Sequence, residues 1–199
     1  MKLSRLVLAA LLLGLPMQAE AEDLNAIFKR VNDLIAAKNY PKALEELGWA
    51  RKEIEKLHVT NLQSFLPDSL AGFTGAKFES AGALGMMNLE RSYSSGEKQL
   101  EVSVTGGAGS AEGFGNIAAI GRMAAMMRGG MGQDTFRVQG RTAQLNTSSE
   151  DPEMTVFLDS GSMLMLRGSG GTTGEELKKA AEALSIEKLD SYLRGSAQG

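Results

Sequence analysis

The chain has 199 residues, no cysteine, a single histidine and a formal net charge of −3. Without cysteine, thiol catalysis, structural disulfides and the acylated cysteine of a bacterial lipoprotein are all excluded, so the fold must hold by its core alone. Mild acidity without a long run of like charge argues against nucleic acid or an anionic lipid surface as a partner.

The first residues read as a targeting signal. Lys2 and Arg5 precede an apolar stretch from Leu6 to Leu15, Pro16 ends it, and Ala19-Glu20-Ala21 offers small residues at the two positions a signal peptidase reads. The stretch is about half the roughly 20 residues a membrane span needs. The pattern predicts a signal peptide over 1–21 cleaved near Ala21, with no membrane span and no lipid anchor. A cysteine-free exported chain then points to the periplasm.

Residues 22–59 read as a helical hairpin. Asp23 is placed to cap a first helix, in which Leu24, Ile27, Phe28, Val31, Leu34 and Ile35 recur at helical spacing. Asn39-Tyr40-Pro41 breaks it, and Pro41 suits the first turn of a second helix. Ala43, Leu44, Leu47, Ala50, Ile54 and Leu57 form that helix's apolar stripe, which ends at His58. The run Ala37-Lys38-Asn39-Tyr40-Pro41-Lys42-Ala43-Leu44-Glu45-Glu46-Leu47 resembles the middle of a tetratricopeptide repeat, over residues 24–57 only. That resemblance implies a peptide-binding hairpin. No second copy follows, and repeat arrays need about three units, so the hairpin must pack on something else.

Residues 60–194 read as an α+β domain with an antiparallel sheet, and 195–199 as a tail. Twenty of the chain's twenty-four glycines fall between Gly72 and Gly174, which suits tight turns and bulges. Asn61 to Gly75 is expected to connect, and Lys77 to Ala81 to form a short strand. Leu100, Val102 and Val104 alternate with polar residues, as do Leu89 and Tyr93 upstream, and Ser94-Ser95-Gly96-Glu97 joins the two runs. The pattern predicts a β-hairpin of Met87–Ser94 with Gln99–Thr105.

One inserted helix is expected over Ala111–Arg128, followed by a glycine loop at 129–132. Thr135–Val138 and Thr142–Asn146 flank Gly140 as two strands, and Met154–Leu158 pairs with Ser162–Arg167 across Asp159-Ser160-Gly161. Met163 and Met165 on one face, with Leu164 and Leu166 on the other, mark a central strand. Thr173-Gly174-Glu175-Glu176 is a capping box for a C-terminal helix ending near Leu184, and Ile186 to Leu193 continues as a shorter helix. Helices set around runs of strands predict an α+β fold, and the element order is similar to that of PsbP-like folds.

Little chemistry is on offer. His58 has no serine elbow to serve, and as a residue near a helix C-terminus it has an ordinary structural role. Two metal readings compete with bland ones. Gly129-Gly130-Met131-Gly132-Gln133-Asp134 resembles one calcium β-roll repeat, making Asp134 a calcium candidate, but such sites need a stacked neighbour. Met123, Met126, Met127 and Met131 crowd together, and thioethers suit Cu(I), although methionine is also an adaptable core filler. Glu150, Asp151 and Glu153 read as a solvated turn, and the glycines at 168–171 as the approach to a capped helix. No catalytic residue and no resident cofactor is assigned. The reading is an exported, non-enzymatic binding or accessory protein with a protein or peptide partner; the alternatives are a methionine-based Cu(I) carrier and, third, a hydrolase. Mass spectrometry of the exported protein is expected to find its N-terminus at or close to Glu22.

Overall fold

The computed structural model describes residues 23–83, 86–106 and 133–195, and it divides at Glu55/Lys56 into two compact units. The first holds helix α1 (Leu24–Ala36) and most of helix α2 (Tyr40–Gln63). Asp23 caps α1 by accepting from the Asn25 amide at 3.0 Å. The helix ends in a Schellman motif: Lys38 takes a left-handed φ of 55°, its N–H meets the Ile35 carbonyl, and the Asn39 N–H reaches back to Leu34 at 2.8 Å. Pro41 then sits in the first turn of α2, where its missing N–H costs nothing.

Helix α2 was expected to close near Leu57 but runs to Gln63. Nothing in 57–63 breaks a helix, and Val59 and Leu62 give its last turns an apolar side that belongs to the core of the second unit. His58 is therefore an interior helix residue, and its expected place near a helix C-terminus is corrected.

The second unit is built on one antiparallel sheet of eight strands: β1 (Ser69–Leu70), β2 (Phe73–Ala83), β3 (Met86–Ser95), β4 (Lys98–Gly106), β5 (Gln133–Val138), β6 (Arg141–Asn146), β7 (Glu153–Phe157) and β8 (Met163–Ser169). Their spatial order is β1-β2-β3-β4-β8-β7-β6-β5. Two four-stranded meanders thus meet through their last strands. The mixed α+β class holds, with the helical hairpin first and helices α3 (Gly174–Ala183) and α4 (Ile186–Leu193) last. The helix expected over 111–128 lies outside the described residues.

Local chemistry explains the turns. β3 and β4 pair down to Ser95↔Lys98, leaving Gly96-Glu97 as a two-residue turn with Gly96 at φ 63°. Gln139 and Gly140 both take positive φ (46° and 79°) between β5 and β6, the mark of a type I′ turn. Strand β2 is longer than the short strand expected at Lys77–Ala81, because a bulge between Gly75 and Phe78 interrupts its alternation.

One face of the sheet carries the core. Leu89 and Tyr93, then Leu100, Val102 and Val104, then Leu164 and Leu166, then Met154 and Val156, then Ala143 and Leu145 run across five strands and are all buried. Leu177, Ala180 and Ala181 of α3 and Ile186 and Leu189 of α4 join this core, with α3 lying over β7 and β8. β8 is central, as its composition predicts; Leu164 and Leu166 are buried while Met163 and Met165 on the other face are only partly so.

Polar groups fasten the helices to the sheet. Thr173 and Glu176 form the complete capping box, and Lys98 of β4 reaches Glu176 at 2.7 Å. That contact and the Thr173 N–H hold the Glu176 carboxyl down at about 2. Gln139 donates its amide to the last carbonyls around α3, including Leu184 at 2.7 Å. Asp190 of α4 is fully buried and accepts from Ser160 N–H (2.8 Å), Asp159 N–H (3.2 Å) and the Arg141 guanidinium (2.8 Å). Burial alone would raise its pKa, but these donors together hold it below the usual value.

Asp190→Ala is expected to cost about 3 kcal/mol by urea denaturation, because it takes the buried acceptor from the Ser160 and Asp159 N–H groups and leaves Arg141 with only the Gln139 carbonyl and the half-exposed Asp159 carboxylate at 3.7 Å. Both carboxylates are depressed in the folded state, so the stability they contribute is present above the ordinary carboxylate pKa and lost as pH falls through the folded values. Acid titration should therefore show the melting temperature falling from about pH 4.5 towards pH 2, with a shallower fall in Glu176→Gln.

Candidate functional site

Among the described residues, every large apolar side chain that stands exposed lies on α1 or α2: Phe28, Ile35, Tyr40, Leu44, Leu47, Trp49, Ile54 and Leu57, at 41–69% exposure. Spacing sorts them. Phe28 and Ile35 are seven apart and share one stripe of α1; Tyr40, Leu44, Leu47 and Ile54 follow one another at three, four or seven residues along α2. The residues buried in this unit, Ile27, Val31, Ala43 and Ala50, lie one position to the side of those stripes and form the seam.

The other flank is charged. Arg30, Asp33 and Leu34 of α1 and Lys42, Glu45 and Glu46 of α2 line an open cleft of about 450 Å³. Arg30 and Glu46 bridge it at 3.0 Å. Arg30 meets Glu46, and Leu34 and Lys42, whose positions have the same sum, line the same cleft, as an antiparallel crossing requires. In such a pair, the same sense of rotation away from the seam carries both helices to the same side. Both apolar stripes therefore share the side opposite the cleft. Trp49 stands apart, with the Lys52 ammonium 4.6 Å above its ring.

The seam is thin. One isoleucine, one valine and two alanines are its buried side chains. The apolar face is thus a part of this unit's own surface that water leaves uncompensated.

The residues singled out in the sequence fare differently. His58 Nδ1 shares a 2.6 Å hydrogen bond with the Tyr192 hydroxyl of α4, the two rings lie 5.4 Å apart, and Phe65 flanks Tyr192. Burial pushes the imidazole below its ordinary value, so it is neutral near pH 7. Asp134 stands exposed on the edge strand β5, opposite Leu145. Glu153 pairs with Arg167 at 2.9 Å, and Thr172 turns its hydroxyl onto the carbonyls of Gln99 and Ser169. The copper candidates Met123, Met126, Met127 and Met131 lie outside the described residues. Among the described residues, no group of three or more His, Cys, Asp or Glu is placed to hold a metal ion, and no helix is long and apolar enough to cross a membrane.

Set against known protein families, characterised proteins and solved structures, the chain finds no match. The site must therefore be read from its own chemistry.

The histidine makes a pH prediction. Its folded pKa is lowered while the unfolded chain takes up a proton near 6.5, so stability is full above that value and declines as pH falls below it. The melting temperature is expected to fall between pH 7.5 and 5.5, and His58→Gln to flatten that part of the profile.

Proposed function

We propose that the protein is an exported, non-enzymatic accessory protein that works in the periplasm by docking a protein partner on the apolar face of its helical hairpin. The observation that carries this reading is the confinement of exposed large apolar side chains to α1 and α2, with Leu44 at 69% exposure in the middle of the stripe. Surfaces of soluble proteins rarely keep such a contiguous patch unless something covers it. An amphipathic helix pair with its greasy side outward is suited to helix-in-groove or helix-on-helix docking, read by anchors at three- and four-residue spacing. The α+β domain supplies a stable body, and the chain's one histidine is already engaged with Tyr192. The leader over 1–21 supports export, and the lack of cysteine agrees with it.

Crosslinking in intact cells tests the reading. Wild-type protein is expected to give crosslinked adducts that Leu44→Glu with Leu47→Glu abolishes, while the melting temperature of the sheet domain stays within a degree or so, because exposed residues carry little of its stability. Adducts unchanged by that double substitution would overturn docking through this face.

A further inference from the structure

We propose that the apolar face of the hairpin is closed by the same face of a second copy of this chain, the two hairpins forming a four-helix bundle about a two-fold axis. The inference rests on the docking reading above and names its occupant.

Area is the first argument. The exposed fractions of Phe28, Ile35, Tyr40, Leu44, Leu47 and Ile54 add to about three whole large side chains, or roughly 600 Å² of apolar surface per copy. Apolar atoms make up a little over half of a typical interface, so the full contact comes to roughly 1,000 Å² per copy, enough for a specific dimer. Permanence is the second. The hairpin buries only Ile27, Val31, Ala43 and Ala50 in its own unit, so its fold calls for a cover that is always present. A second copy is made wherever the first one is, and a transient partner is not.

The face is also self-complementary. Its stripe on α2 carries one charge of each sign, Arg51 and Glu55, joined at 2.8 Å. Under a two-fold axis such a pair meets its own complement, whereas a partner of uniform charge would meet repulsion from one of them. Gly48 adds a local sign. It lies four residues after Leu44 in the interior of α2, where glycine costs about 1 kcal/mol against alanine, and a Cβ placed there would meet nothing within 4 Å. Among the described residues no contact calls for glycine at that position, and a glycine there would let the backbone of a second helix cross close by.

Light scattering on the purified exported protein decides the matter. The expected mass is that of two chains at micromolar concentration, falling to one chain in Leu44→Glu with Leu47→Glu and remaining at two in Glu45→Lys, which alters the charged cleft. Since two glutamates could unravel the hairpin itself, Leu44→Ala with Leu47→Ala is the second variant. It is expected to raise the dimer dissociation constant at least tenfold while the far-ultraviolet circular dichroism at high concentration stays unchanged. A wild-type monomer, or a dimer as tight in both double variants as in wild type, would overturn self-pairing. A monomer whose crosslinked adducts in cells still vanish on Leu44→Glu with Leu47→Glu would overturn self-pairing and leave the docking reading standing. Loss of neither mass nor adducts would overturn both.

Discussion

The ladder between β4 and β8 is the contact on which the second unit depends. Seven residue pairs, from Gln99↔Ser169 to Thr105↔Met163, join two meanders that are otherwise assembled from neighbouring strands. Every other ladder forms between strands adjacent in the chain and needs only a short loop to close. The β4–β8 ladder brings together residues about 60–70 apart, so it carries most of the loop-closure entropy of the sheet. Its side chains show how that cost is met. Val102 faces Leu166 and Val104 faces Leu164, all fully or almost fully buried in the one core, and β8, which carries Leu164 and Leu166, is one of the two strands on which α3 rests.

Around this apolar centre, two arginines, Arg91 buried and Arg141 largely covered, tie down what strands alone would leave loose. Arg91 of β3 is buried, donates to the Leu66 carbonyl at 2.6 Å and the Ala76 carbonyl at 2.9 Å, and pairs with Asp68. It also lies 4.2 Å from the Phe78 ring centroid and 5.5 Å from that of Tyr93. One guanidinium so fixes the connector from α2, the bulge in β2 and the face of β3 at once, using the fork of donors that lysine lacks. Gly75 is the other half of that arrangement, because a Cβ there would come within 2.6 Å of Arg91 Nε. Burial pushes the Tyr93 hydroxyl up to about 12 against the opposing pull of Arg91, so the phenol stays protonated and Asp68 is the carboxylate that answers the guanidinium. At the far side of the sheet, Arg141 and Asp190 do the same for α4 and the β7–β8 turn.

The parts of the fold that were legible in the sequence are those set by short-range rules. Alternation in Leu100-Val102-Val104 and the glycine turns located both hairpins to within a residue or two, and the capping box located α3. What was not legible arose where tertiary packing overrides local signal. Helix α2 outran its expected end because the core needed Val59 and Leu62, and strand β2 outran its own because a bulge hides its period. Arg91 and Asp190 did leave a trace. Arg91 falls in phase with Leu89 and Tyr93, and Asp190 follows Ile186 by four residues; a charge in phase with an apolar face marks a buried, paired ion.

The candidate site was legible as a stripe and illegible as a surface, for a physical reason. Periodicity reports that apolar residues share one side of a helix, and burying that side on its own domain or leaving it for another chain produces the same period. Residue size breaks the tie. In a helix buried on its own domain the large side chains are buried along with the small ones, as Leu177 is with Ala180 and Ala181 in α3. In α2 the order is reversed: the alanines at 43 and 50 form the seam, while Leu44, Leu47 and Ile54 stand in solvent. Small residues bring α1 close and leave little apolar area buried between the two helices, while the larger side chains beside them stay 41–69% exposed. A helix whose small apolar residues face its neighbour and whose large ones face away is the arrangement on which the proposed docking rests.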